Sequence, residues 1–125
     1  MLFDTDVLVW VLRGNGNAAD AMNRDPQRQC SVVTYMELLQ GARDKQEVRE
    51  IKAFLAERGF EMLPLTENIG HRASIYLEEY RLKQGIEMGD ALQAATAVEN
   101  GVTLFTANRK HYRPIAELNV KFFSP

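Results

Sequence analysis

Cysteine is nearly missing: Cys30 is the only one in 125 residues. No intrachain disulfide can form, and with only two histidines, His71 and His111, there is no Cys/His zinc cluster. Long hydrophobic runs are missing as well. The longest, residues 7–12, falls far short of the roughly 20 residues that span a bilayer. Nothing basic precedes it, and Asp4 and Asp6 stand where a secretory leader carries positive charge. The expectation is a cytoplasmic protein with no membrane association. Neither sign of charge is in excess, since 15 Lys and Arg face 17 Asp and Glu for a net charge of −2. That excludes a purely electrostatic nucleic-acid binder and leaves room for a local basic patch. With no low-complexity stretch, repeat or Pro/Gly-rich linker, residues 1–125 read as a single domain.

What is present is an alternation of two periodicities. Residues 1–4 form a short apolar strand, and Asp4-Thr5-Asp6 offers caps for a buried helix over 7–12. A short helix over 18–23 follows the turn at Gly14-Asn15-Gly16-Asn17. Residues 29–33 have strand composition, and Thr34 starts the next helix. A helix over 45–58 puts Val48, Ile51, Phe54 and Leu55 on one face, ahead of Gly59 and a strand over 60–65. Thr66-Glu67-Asn68 caps a long helix with the stripe Ile69, Ala73, Tyr76, Leu77 and Tyr80, ended by Gly85. The Ala-rich segment 90–99 is apolar nearly all round and reads as a central packed helix. Strands over 102–106 and 120–123 complete the order. This alternation predicts an α/β sandwich around a mainly parallel sheet.

In such sheets sites gather at the carboxyl ends of strands, where helices begin. Four junctions there carry polar residues: Asp4 and Asp6, Glu37, Asp90, and Asn108. Each has a plain alternative. Asp4 and Asp90 suit N-caps, Asp6 suits the first turn of a helix, Thr34 and Glu37 fit a capping box, and Asn108 fits a turn. Taken as a set they point elsewhere. Converging carboxylates raise one another's pKa unless a cation intervenes, and oxygen-only ligands suit Mg2+ or Mn2+. Such a site can polarise a phosphodiester and activate water.

Four segments carry a resemblance that covers nearly the whole chain. They are Leu2-Phe3-Asp4-Thr5-Asp6-Val7-Leu8-Val9-Trp10, Thr34-Tyr35-Met36-Glu37-Leu38-Leu39-Gln40-Gly41-Ala42, Gly89-Asp90-Ala91-Leu92-Gln93-Ala94-Ala95-Thr96-Ala97, and Leu104-Phe105-Thr106-Ala107-Asn108-Arg109-Lys110-His111-Tyr112. In this order they resemble a PIN domain, and within it the VapC-type toxins of type II toxin–antitoxin pairs. The resemblance implies a PIN-like α/β/α sandwich and an endoribonuclease dependent on Mg2+ or Mn2+. Asp4, Glu37 and Asp90 match the family's acidic triad, with Asp4 and Asp90 as metal ligands. Asp6, Thr106, Asn108 and His111 take supporting places. Asn108 stands where many PIN domains carry Asp, and His111 where some relatives carry a further acid.

The implied partners are an RNA substrate, a cognate antitoxin that holds the enzyme inactive, and a second copy in a homodimer. The antitoxin's tail would lie near the helix pair 34–58, whose stripe reads mostly as core. Arg13, Arg109, Lys110 and Arg113 are the cations expected to meet RNA phosphates. Three rivals stand beside this reading. A PIN nuclease in RNA processing needs no antitoxin. A catalytically inert module would only bind RNA or protein, although all three acids are present. A haloacid-dehalogenase-like phosphatase is suggested by Asp4-x-Asp6, but Val7-Leu8 follows instead of a Thr, and Glu37 has no place in it.

Overall fold

The computed structural model describes residues 1–125. The elements, in chain order, are β1 (Leu2–Phe3), α1 (Thr5–Leu12), α2 (Gly16–Arg24), β2 (Gln29–Ser31), α3 (Val32–Gln40), α4 (Lys45–Glu57), β3 (Glu61–Leu63), α5 (Glu67–Gln84), α6 (Met88–Asn100), β4 (Leu104–Thr106), α7 (Arg109–Tyr112) and β5 (Val120–Phe122). The five strands form one sheet in the order β3-β2-β1-β4-β5, and every pairing is parallel. Leu2 pairs with Gln29 on one side and Leu104 on the other, so β1 sits at the centre.

Side chains alternate across a strand, and here that alternation divides the core in two. Leu2 and Leu104 point to one face, where they meet Ile69, Ala73 and Tyr76 of α5 and the alanines of α6. Phe3 and Phe105 point to the other, against Val7 and Leu8 of α1, Met22 of α2, Leu38 of α3 and Ile51 and Leu55 of α4. Phe3 makes edge-to-face contacts with Phe105 and Phe60 at 5.4 and 5.6 Å. The result is the α/β/α sandwich expected from the alternation. The stripe of α4 faces the core, with Val48 half-buried at its edge. Cys30 lies within this layer, and burial pushes its thiol up to about 11. No helix is long and apolar enough to cross a membrane.

Several boundaries differ from the sequence reading, each for a local reason. Val32 and Val33 look like strand residues, but they already belong to α3. Ser31 caps that helix, its hydroxyl accepting the Thr34 N–H at 3.0 Å. The Thr34–Glu37 capping box therefore does not form. Asp90 does not cap α6 either. The helix begins at Met88, Glu87 is the cap residue, and Asp90 reaches back to accept the Glu87 N–H at 3.1 Å. The short helix α7, capped by Asn108, replaces the turn expected there.

Candidate active site

Chain order reverses between β1 and β4, and at such a switch point the connections leaving neighbouring strands diverge to opposite faces. A cleft of about 270 Å3 opens at their carboxyl ends. Asp4, Thr5, Asp6, Glu37, Gly89, Asp90, Gln93 and Asn108 line it, and none of them is hydrophobic. Asp4 and Asp6 come from the β1–α1 junction, Glu37 from the second turn of α3, Asp90 and Gln93 from the start of α6, and Asn108 from the β4–α7 junction. Four carboxylates thus reach one cleft from three separate elements.

Asp4 is buried, with 7% of its surface exposed, and caps α1. Its Oδ1 accepts the Thr5 N–H at 2.8 Å and its Oδ2 accepts the Thr106 hydroxyl at 2.8 Å. Those bonds favour the carboxylate, but burial and the neighbouring Asp6 outweigh them and push Asp4 up to about 7. Asp6 is raised too, mainly by burial, although it accepts the Ala107 N–H at 3.1 Å. The other oxygen of Asp6, Oδ1, is buried without any partner. Thr106, wholly buried, ties the pair together and in turn accepts the Asn108 N–H at 3.1 Å.

Asp90 is held from the opposite wall. His111 Nδ1 stands 2.8 Å from its Oδ2, and the Tyr112 hydroxyl donates to its Oδ1 at 3.3 Å. The Asn108 side chain accepts the His111 N–H at 3.2 Å and fixes the turn that aims the ring. Glu37 is exposed and accepts the Thr5 hydroxyl at 2.7 Å. Gly89 faces its other oxygen, because a Cβ at that position would lie 3.2 Å from Glu37 Oε2.

These positions bear on whether a divalent cation fits. A partnerless buried carboxylate oxygen, two acids raised by burial and a wholly polar lining are what an oxygen-liganded cation relieves. No three acidic or histidine side chains converge on a single point as they stand. Protein atoms alone do not complete a ligand shell, which suits Mg2+, an ion that keeps several of its waters.

The structure therefore brings together Asp4, Asp6, Glu37, Asp90, Thr106, Asn108 and His111. The four cations expected at RNA stand outside the cleft lining. Arg13 lies in a neighbouring groove, Lys110 is exposed, and Arg109 and Arg113 stack over the Phe122 ring at 4.7 and 5.9 Å. Sequence reasoning gave no role to Gly89, Gln93 or Tyr112, nor to the Thr5 hydroxyl. Only Gln93 left a signal: a polar residue on the buried face of an Ala-rich helix, three positions after Asp90 and so on the same side.

Fold and cleft together describe a class of protein. The PIN domain family model matches residues 1–116, and the chain belongs to that family. Over its whole length, in 129 aligned positions, it is 36% identical to Ribonuclease VapC10 of Mycobacterium tuberculosis and covers 95% of that protein. Among solved structures it is similar to a toxin–antitoxin complex from Klebsiella pneumoniae, with a TM-score of 0.79 and 26% identity over 94% of this chain and 93% of that one. VapBC-1 from nontypeable Haemophilus influenzae shares the fold, with a TM-score of 0.78 and 24% identity over 97% and 96% of the two chains.

Proposed function

We propose that this single-domain chain is a metal-dependent endoribonuclease acting in the cytoplasm as the toxin of a toxin–antitoxin pair. The observation that carries the proposal is the cleft itself: four acids at a switch point, two of them raised by burial, with no apolar lining. The 36% identity to a ribonuclease of the VapC type supports the same reading. Asp4 and Asp90 would hold Mg2+ or Mn2+, with Asp6 and Asn108 beside them. Bound there, the ion supplies positive charge to the phosphodiester and to the water that attacks it.

The chain's own residues do the rest. Glu37 keeps Oε2 free of any protein donor, so it can accept a proton-bearing water and orient it toward phosphorus. Thr106 spaces Asp4 from Asp6. His111 and Tyr112 fix Asp90. Water attacks phosphorus, the bond to the 3′ oxygen breaks, and the products carry a 5′-phosphate and a 3′-hydroxyl. Arg109, Lys110, Arg113 and Arg13 would meet the RNA backbone beyond the acids.

For the antitoxin, a groove of about 620 Å3 runs between α1, α3 and α4. Val9, Leu12 and Leu38 give it an apolar floor, and Arg13, Arg43 and Glu47 give it charged walls. It shares Glu37 with the active-site cleft, so an occupant of the groove can block the acid directly. The active unit is proposed to be a homodimer.

The deciding experiment incubates total RNA with antitoxin-free protein and Mg2+ or Mn2+, with EDTA as control, beside an Asp4→Ala/Asp90→Ala variant. Discrete metal-dependent fragments that vanish in the variant are expected, with 5′-phosphate ends. Fragments ending in a 2′,3′-cyclic phosphate would overturn the hydrolytic route, because that product requires the substrate's own 2′-hydroxyl as nucleophile.

A further inference from the structure

Behind the acids lies a buried polar chain that the Ser31 cap of α3 explains only in part. Ser31, Thr34 and Gln93 are each no more than 1% exposed, yet all three carry polar side chains into the layer between β2 and α6. Ser31 Oγ stands 2.8 Å from Gln93 Oε1. Gln93 Nε2 donates to Thr34 Oγ1 and stands 3.3 Å from Thr5 Oγ1. Thr34 Oγ1 and Thr5 Oγ1 are 3.0 Å apart, and Thr5 Oγ1 is 2.7 Å from Glu37 Oε1. The chain ends in the cleft, on an acid.

Counting hydrogens fixes its direction. Each hydroxyl has one hydrogen to give, and the Gln93 amide has two. Glu37 as a carboxylate only accepts, so Thr5 gives its hydrogen to Glu37. Thr34 then has Thr5 Oγ1 at 3.0 Å and Ser31 Oγ at 3.4 Å as acceptors and donates to the nearer Thr5, while Gln93 supplies the hydrogen bond that Thr34 accepts. Ser31 closes the sequence by donating to the Gln93 carbonyl oxygen. The reverse amide orientation would leave one Gln93 N–H without an acceptor in a site where the side chain is 1% exposed. The run Ser31, Gln93, Thr34, Thr5, Glu37 therefore has one polarity, and aligned hydrogen bonds of this kind strengthen one another.

We propose that Gln93 is a positioning residue for RNA hydrolysis: through Thr34 and Thr5 it fixes a hydrogen-bond donor on Glu37. The proposal rests on the nuclease reading above. Without the amide, Thr34 turns its hydrogen elsewhere and Thr5 loses an incoming bond. Glu37, an exposed side chain on a half-buried anchor, then samples other rotamers. On the opposite wall Gly89 leaves room for Oε2, where a Cβ would come within 3.2 Å of it. The Thr5 donor on Oε1 and the space that Gly89 leaves beside Oε2 suit one carboxylate orientation.

The test compares kcat and KM for wild type, Gln93→Met, Gln93→Glu, Thr5→Val, Thr5→Ser and the double variant Thr5→Val/Gln93→Met. Gln93→Met keeps length and loses the amide. Gln93→Glu keeps the shape and removes both donors. Losing a hydrogen bond to a charged group should lower kcat about ten- to hundredfold in Gln93→Met and Thr5→Val, with KM within about twofold. Thr5→Ser should retain activity. The double variant should be no worse than Thr5→Val alone, because both act through one donor. A second readout needs neither metal nor RNA. In metal-free protein the buried Thr34 hydroxyl proton should show a nuclear Overhauser effect to Thr5, lost in Gln93→Glu.

Losses that multiply in the double variant, or kcat within twofold of wild type in Gln93→Met, would overturn the proposal while leaving the nuclease in place. A wild type that cleaves no RNA would overturn the nuclease reading and this role with it. Should Gln93→Met fail to fold, the Thr5→Val and Thr5→Ser pair and the hydroxyl proton decide the matter. A Thr34 hydroxyl directed at residue 93 in wild type also overturns the proposal.

Discussion

Asp4 gives the most quantitative test of the site's electrostatics. Its pKa rises from the ordinary 3.8 to about 7, chiefly because the carboxylate is buried and secondly because Asp6 lies beside it. A raised acid binds its proton more tightly in the folded state, so stability is greatest at low pH and is lost as pH climbs through the folded pKa. Between pH 5 and pH 8 linkage makes this loss roughly 2 to 3 kcal/mol for Asp4 alone in metal-free protein. Asp6, raised chiefly by its own burial and more weakly by Asp90, adds to it with the same sign. Asp4→Asn should remove most of that dependence. Asparagine is as good an N-cap as aspartate. Its amide can donate to Thr106, whose hydroxyl can turn to Asp6 Oδ2, 3.4 Å away. Urea denaturation in EDTA at pH 5 and pH 8 should therefore find wild type weaker at the higher pH and Asp4→Asn less so, with only the dependence that Asp6 carries. Added Mg2+ should restore wild type at pH 8 and do little for the variant. Equal pH dependence in both proteins would refute the assignment of the cost to Asp4, and a variant weakened at both pH values would show that the carboxylate stabilises the fold.

Gly89→Ala separates stability from activity. Its backbone is ordinary helix, so alanine should leave stability unchanged or raise it by about 0.5–1 kcal/mol, while its Cβ displaces Glu37 and lowers kcat; thermal melting and RNA cleavage check the two halves. Arg109→Ala/Lys110→Ala should weaken RNA binding and flatten its logarithmic salt slope by roughly 0.7 for each phosphate no longer neutralised. An unchanged slope from titrations at several salt concentrations would count against that edge as the RNA path. Arg109 also gives up its stacking on Phe122, worth about 0.5–1 kcal/mol, so the melting point of this variant should fall slightly.

The fold was legible wherever one periodicity held for several residues. The stripe of α5, the Ala-rich α6 and the short strands before Asp4 and Asn108 were all readable, because burial on one face imposes that pattern. Boundaries were less so. Val32 and Val33 carry strand propensity, yet the Ser31 hydroxyl starts a helix beneath them, and a single cap outweighs two β-branched residues. In the same way Asp90 looks like a cap by type, but its side chain bonds backward from the third helical position. The helix α7 has four residues, too few for any period to show.

The acids themselves were readable from their junctions, but what each one bonds was not, because their partners lie far along the chain. Thr106 meets Asp4 across 102 positions, and Gln93 meets Thr34 across 59. Those partners also explain how one residue serves both fold and site. Asp4 caps α1, and an ordinary cap is a wet carboxylate with a low pKa, stabilised by the helix N-terminus. Here the cap is buried under Asp6, Thr106 and the start of α1, and the balance reverses: two good hydrogen bonds and a helix dipole fail to offset desolvation and a second acid. Helix capping alone needs neither the burial nor Asp6. Asp6 holds the Ala107 N–H through Oδ2, while its Oδ1 is buried with no hydrogen-bond partner. A divalent cation held there, as proposed, would offset both features at once, so the unfavourable electrostatics of this corner support the proposed site more strongly than the mere presence of its acids.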